Sequence, residues 1–267
     1  MWLDDFRGLL CDLDGCLIAG DTVLPGARDL LARAGDRLWI VSNNSTDTSA
    51  TLAARLERLG LLMRQDRIVL AGATAVEHLA QRNPGARTAV YGSDAICDYA
   101  LSQGLVPDHN APEFVLLTRD PAFSYPSLNR IVRQIEDGAR LIVTNVDATH
   151  PGADGHAVVE TGALLEAVRA CFPDLRYRAV GKPSKLIYQS ILRRVLARPH
   201  ACLAIGDNPL TDGEGARRLG MPCVLIGRSA CAHFATLALM LESERPPAQV
   251  QTDRLVPACA SAPQCSA

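Results

Sequence analysis

Short apolar runs alternate with segments of helical periodicity along this chain, and that alternation limits the fold more than any other feature of the sequence. It is typical of βαβ units, in which neighbouring strands run parallel and helices cover the sheet. The predicted strands are 8–13, 37–41, 88–92, 114–118, 140–144, 202–206 and 222–227, and the predicted helices are 25–34, 47–59, 127–137, 184–196 and 212–219, with a further helix ending near Gln103. The sequence therefore predicts an α/β fold with a Rossmann-like, mainly parallel sheet.

The middle of the chain has its own strands and helices and is too long to be a loop. We predict a core built from residues 1–83 and 179–255, with an inserted α/β domain at 84–178. The tail at 256–267 is small and polar enough to be flexible.

Polar residues follow the predicted core strands. Ligands of open α/β sheets collect at the carboxyl ends of the strands, so these residues are candidates for one site. The candidates are Asp12 and Asp14 after the first strand, Ser42, Asn43 and Asn44 after the second, Lys182 before the helix at 184–196, and Asp207 and Asp212 after the strand at 202–206. Together they predict a site at one edge of the core sheet.

Several acids in one place repel each other, and a hard divalent cation such as Mg²⁺ relieves that repulsion and attracts phosphate. A lysine and a hydroxyl could hold the remaining phosphate oxygens, so the set suits phosphoryl transfer. Asp12 would attack phosphorus as the nucleophile. Asp14 would protonate the leaving oxygen and later take a proton from water.

Each residue also has a plain structural interpretation. Asp-x-Asp-Gly can form a turn or a calcium loop, and Ser42 can cap a helix. Lys182 can be a solvated charge. Of the 27 Lys and Arg residues of the chain, however, Lys182 and Lys185 are the two lysines. Asp207 and Asp212 can cap helices. Their order, each after a strand, favours the joint site.

These segments resemble the four motifs of the haloacid dehalogenase superfamily of phosphohydrolases, in the branch of nitrophenylphosphatases, phosphoglycolate phosphatases and nucleotide monophosphatases. The motifs read DLDGCL at 12–17, VSNNS at 41–45, GKP at 181–183 and GDNPLTD at 206–212. The resemblance implies phosphate contacts from Ser42 and Asn43, a charge clamp from Lys182, and Mg²⁺ on Asp12, the backbone carbonyl of Asp14, Asp207 and Asp212. It also implies that 84–178 is a cap.

Two segments depart from that pattern. The chain has Thr118-Arg119-Asp120 where the branch tends to show a Gly-Leu-Asp run, and Val159-Glu160 in place of Pro-Gly. Cap residues contact the leaving group in such enzymes, so Arg119, His150 and His156 are candidates for substrate contacts.

Composition narrows the partners. The chain has 27 Lys and Arg against 29 Asp and Glu, without long charged runs, so we expect neither nucleic acid nor membrane as a partner. Nine scattered cysteines without a CxxC pair favour a cytoplasmic protein without zinc. The leading prediction is an Mg²⁺-dependent phosphatase of a small phosphorylated metabolite, and the family resemblance also implies a homodimer through the cap. The alternatives are a phosphotransferase of the same superfamily and a non-catalytic phosphate-binding protein or switch.

Overall fold

The computed structural model describes residues 2–152 and 156–250, so the tail predicted to be flexible at 256–267 lies outside the described residues. The strands are β1 (Gly8–Cys11), β2 (Ile18–Ala19), β3 (Thr22–Val23), β4 (Leu38–Ser42), β5 (Ile68–Leu70), β6 (Arg87–Tyr91), β7 (Val106–Pro107), β8 (Phe114–Leu117), β9 (Arg140–Val143), β10 (Thr149–Pro151), β11 (Ala157–Val159), β12 (Tyr177–Ala179), β13 (Cys202–Gly206) and β14 (Cys223–Leu225). The helices are α1 (Ala27–Ala34), α2 (Ser49–Arg58), α3 (Ala71–Arg82), α4 (Asp94–Ser102), α5 (Tyr125–Glu136), α6 (Thr161–Cys171), α7 (Lys185–Val195), α8 (Glu214–Leu219) and α9 (Leu237–Glu242). Within the described ranges, no helix combines the length and the apolar content needed to span a membrane.

The first sheet is parallel, with the strand order β14-β13-β1-β4-β5. Every residue of β1, β4 and β13 is buried, as expected for parallel strands covered on both faces. Alternate residues of β1 face opposite cores: Leu9 packs in the cluster that contains Leu52, and Leu10 packs in the cluster that contains Ile187. The predicted parallel α/β sheet is therefore present, with β1 at its centre.

The second sheet is also parallel, with the order β12-β9-β8-β6-β7. Its strands fall between residues 87 and 179, close to the predicted insertion at 84–178. Val76 and Leu79 of α3 pack in the same apolar cluster as Phe114 of β8. The predicted boundary at residue 83 thus separates α3 from the sheet it packs against.

Helix starts follow capping side chains more closely than hydrophobic spacing. The helix predicted from 47 begins at Ser49, because Thr48 caps it by accepting a hydrogen bond from the backbone N–H of Thr51. The helix predicted from 127 begins at Tyr125, after the cap residue Ser124. The helix predicted from 212 begins at Glu214, because a wide turn at Pro209–Gly213 precedes it. That turn carries Asp212.

Candidate active site

The first loop presents Asp12 and Asp14 on the same side of the chain. β1 ends at Cys11, so a turn, and not strand alternation, sets the position of Asp14. Leu13 between them is fully buried and points into the core. Gly15 turns the chain with a φ of 81°, and its N–H donates to the carbonyl of Ile18 (2.8 Å). Both acids line one cavity as a result.

The segment after β4 is tied to two distant parts of the chain. Ser42 is buried, and its Oγ accepts a hydrogen bond from the Asn44 N–H (3.1 Å). The Oδ1 of Asn43 accepts from the Lys182 N–H (2.7 Å). The Nδ2 of Asn43 donates to the Lys182 carbonyl (3.1 Å) and to Asp147 Oδ2 (2.8 Å). The Asn43 amide therefore joins the second and third motifs to the second sheet.

Lys182 is the electrostatic centre of the site. Its side chain is 2% exposed, and its Nζ lies 2.7 Å from both Asp12 Oδ1 and Asp212 Oδ1. Burial lowers the lysine pKa, but the carboxylates of Asp12 and Asp212 outweigh this effect, and the pKa of Lys182 is raised well above its usual value. The ammonium group is thus held charged in a buried position.

Three carboxylates form a group suited to a cation. One oxygen each from Asp12, Asp207 and Asp212 lies within 4.8 Å of the others. A β-carbon at Gly15 would overlap Asp207, and one at Gly206 would overlap Asp212, so these glycines make room for the acids. Oxygen ligands of this kind fit Mg²⁺. The Asp14 carboxylate is not in this group, and the sequence prediction placed Mg²⁺ on its backbone carbonyl.

Burial controls how the acids bind protons. It raises the pKa of Asp12 well above the usual value, although Lys182 opposes the change. It also raises the pKa of Asp14. Burial, reinforced by the neighbouring Asp212, raises the pKa of Asp207 to about 6. Without a cation, the site therefore holds more protons than exposed aspartates would.

All four motifs line a single cavity of about 290 Å³, which includes Asp12, Ser42, Lys182 and Asp207. Residues around the second sheet form the rest of its wall. The predicted cap contacts Arg119 and His150 lie in this wall. Asp147 and Glu160 lie there too, although the sequence analysis did not predict them as contacts. The third predicted cap contact, His156, is exposed. Glu160 could have been predicted from the sequence, because it lies in the segment Val159-Glu160 that departs from the family pattern.

Two family models match the chain: haloacid dehalogenase-like hydrolase at residues 9–106 and HAD-hydrolase-like at 179–253. The parallel sheets and the site of acids and a lysine are typical of such hydrolases. The chain belongs to the haloacid dehalogenase-like hydrolases. Within them it is a phosphoric monoester hydrolase. Human chronophin is 33% identical over 238 residues, which is 82% of this chain and 80% of chronophin.

Two solved structures are similar. The 4-nitrophenylphosphatase from Thermotoga maritima has a TM-score of 0.83 at 22% identity, covering 92% of this chain and 100% of that one. The glycerol phosphate phosphatase from Mycobacterium tuberculosis in complex with magnesium has a TM-score of 0.77 at 28% identity, covering 84% of this chain and 69% of that one. The first likeness shows the fold, and the predicted superfamily is confirmed.

Proposed function

We propose that the protein is an Mg²⁺-dependent phosphatase that hydrolyses a small-metabolite phosphomonoester through an aspartyl-phosphate on Asp12. One observation carries the proposal: the Lys182 ammonium lies 2.7 Å from both Asp12 and Asp212, beside the three-carboxylate group that includes Asp207. A buried nucleophile, a cation clamp and a metal cradle are the parts that phosphoryl transfer needs. The acids follow the central strand β1 and its neighbour β13, and Lys182 lies just before α7.

The reaction follows in two displacements. The Asp12 carboxylate attacks phosphorus, a bond forms between phosphorus and the carboxylate oxygen, and the bond to the leaving alkoxide breaks. Asp14 donates its proton to that oxygen, and its raised pKa suits a group that must carry a proton. Asp14 then takes a proton from water as the water attacks phosphorus, which releases inorganic phosphate and restores Asp12. Lys182 neutralises charge on the phosphoryl group throughout.

Asp12, Asp207 and Asp212 would hold Mg²⁺, with the backbone carbonyl of Asp14. When bound, Mg²⁺ neutralises charge on the phosphoryl oxygens. The magnesium complex of the mycobacterial relative supports this choice of metal. The predicted phosphate contacts of Ser42 and Asn43 belong to the same proposal, with Asn43 acting through its backbone or as a tether, because its side chain is already hydrogen-bonded.

The substrate is small because the cavity of about 290 Å³ is at the lower end of the range for ligand sites, roughly 300–1,000 Å³. We propose that residues 84–178, together with α3, act as the cap that closes this cavity. The names of the similar proteins, glycerol phosphate phosphatase among them, support a small phosphorylated metabolite. The cytoplasmic location and the homodimer through the cap stay predictions.

A phosphate-release assay on a panel of phosphomonoesters, with Mg²⁺ or with EDTA, tests the proposal. We expect turnover with Mg²⁺, none with EDTA, and none in Asp12→Asn, whose fold is checked by circular dichroism. In the presence of an acceptor alcohol, a phosphotransferase would form more phosphorylated alcohol than inorganic phosphate. A binding protein or switch would release at most one phosphate per chain, and that result would refute the phosphatase.

A further inference from the structure

The two places where the chain departs from its family pattern meet in space. Arg119 follows β8 and Glu160 precedes α6, yet Arg119 Nη1 lies 3.8 Å from Glu160 Oε1. His150 Nδ1 lies 2.8 Å from the same oxygen. All three side chains line the same cavity as the phosphate-binding motifs. Two departures that are far apart in the sequence therefore form one charged pair in the cavity wall.

Glu160 is held firmly at this place. It is the cap residue of α6, and its Oε2 accepts a hydrogen bond from the Thr161 N–H (3.3 Å). Its side chain is 11% exposed. The backbone of Arg119 is anchored as well, since its N–H donates to Ser45 Oγ in the second motif (3.0 Å). The backbone of Arg119 and the carboxylate of Glu160 are thus both held by hydrogen bonds.

The Arg119 guanidinium still has donors to offer. A guanidinium has five N–H groups in a planar fork. Within residues 2–152 and 156–250, its one ion pair is the contact with Glu160, and at 3.8 Å that contact is too long for a hydrogen bond. The side chain is 30% exposed, towards the cavity it lines. The pair therefore presents donors and acceptors side by side.

Glu160 opposes a second anion beside Arg119, because it is the carboxylate that lies next to that guanidinium. In the described part of the chain, the other permanently charged cations that line the cavity are Arg55 and Lys182. Both are already paired, Arg55 with Asp21 and Lys182 with Asp12. A carboxylate on the leaving group would compete with Glu160 for Arg119 and be repelled by Glu160.

We propose that Arg119 and Glu160 form a specificity clamp, in which Glu160 accepts a hydrogen bond from one hydroxyl of the leaving group and Arg119 donates to a neighbouring oxygen. The clamp selects phosphomonoesters with uncharged, hydroxyl-bearing leaving groups over those with a carboxylate. This inference rests on the proposed phosphatase function and adds its leaving-group specificity.

Glycerol 3-phosphate and 3-phosphoglycerate test the clamp, because they differ by one CH₂OH group replaced by a carboxylate. For the wild type, we expect kcat/KM to favour glycerol 3-phosphate about tenfold or more. In Glu160→Gln, which keeps the shape but removes the charge, the ratio of kcat/KM for glycerol 3-phosphate to that for 3-phosphoglycerate should fall about tenfold. In Arg119→Gln the ratio should rise, since Glu160 then repels the carboxylate without opposition. Opposite shifts in the two variants are not expected of a merely structural role.

The control is Glu166→Gln, a change of an exposed glutamate on the same helix, α6, which should leave the ratio unchanged. If neither ester is turned over, the ratio of their inhibition constants against 4-nitrophenyl phosphate replaces kcat/KM. A wild type that prefers 3-phosphoglycerate, or an equal ratio in wild type and Glu160→Gln, overturns the clamp. If Glu160→Gln does not fold, a ratio in Arg119→Gln equal to that of the wild type overturns the clamp. Absence of 4-nitrophenyl phosphate turnover in the wild type would instead overturn the phosphatase function.

Discussion

Replacing Lys182 with methionine should destabilise the protein even when no substrate or metal is bound. The change removes two charge-assisted contacts of 2.7 Å and leaves the carboxylates of Asp12 and Asp212 without their cation. Both carboxylates are nearly inaccessible, with side chains 10% and 5% exposed. Breaking a buried ion pair by removing one partner costs about 3–5 kcal/mol, because the remaining charge is uncompensated. Asp12 can take up a proton instead, so we expect a loss near the lower limit, about 3 kcal/mol.

The measurement is urea unfolding in EDTA, followed by circular dichroism. Lys185→Met is the matched control, because it changes the other lysine of the chain, which is exposed at the start of α7. Asp12 has a raised pKa in the folded protein, and losing Lys182 raises this pKa further. As pH falls, protonation of Asp12 therefore stabilises the variant more than it stabilises the wild type. The loss should therefore be larger at pH 8 than at pH 6. A free energy of unfolding within about 1 kcal/mol of the control at pH 8 would refute the buried pairing.

The remaining predictions concern the acid, the metal and its cradle. Asp14→Asn should slow single-turnover ester cleavage by about 10²–10⁴-fold, and an unchanged rate would exclude its role as the acid. Mg²⁺ should raise the melting temperature more at pH 7.5 than at pH 5, because Asp207, with its pKa raised to about 6, must lose a proton to bind the ion; an equal rise at both pH values would contradict this. Gly206→Ala should weaken Mg²⁺ binding, measured by calorimetry, about tenfold or more, because the new β-carbon displaces Asp212, whereas Gly213→Ala has room and should not; equal affinities in the two variants would argue against the cradle.

Much of the architecture could be predicted from the sequence, because buried parallel strands have a strong local pattern. The runs at β1 and β13 are apolar throughout and that at β4 is apolar up to its last residue, Ser42, and each is followed by polar residues. Parallel strands in one sheet bring their carboxyl ends to the same edge, so the convergence of Asp12, Ser42 and Asp207 followed from chain order. The structure places them in one cavity, and their roles stay predictions.

Short elements without turn residues could not be predicted. β5 has three residues and passes directly into α3, and Gly72 lies inside the helix, so it does not mark where the strand ends. The hydrophobic spacing of α3 also cannot say which sheet it covers: Ala73 packs in the core of the first sheet, and Val76 and Leu79 pack against the second one.

Contacts between distant parts of the chain were hidden for a different reason. The bond between Asn43 and Asp147 and the pair of Arg119 with Glu160 depend on how the two sheets face each other. No local propensity encodes that geometry. The departures from the family pattern marked Arg119 and Glu160 separately, but only the fold shows that they are one feature.

The central claim is that Asp12 becomes transiently phosphorylated. It is tested by mixing enzyme, Mg²⁺ and a ³²P-labelled phosphomonoester, quenching with acid within one turnover, and locating the label by digestion and mass spectrometry. We predict a hydroxylamine-sensitive label on Asp12 that accumulates in Asp14→Asn if that change slows hydrolysis more than attack. A label on any other residue, or rapid phosphate release without a trapped label on the enzyme, would contradict the account.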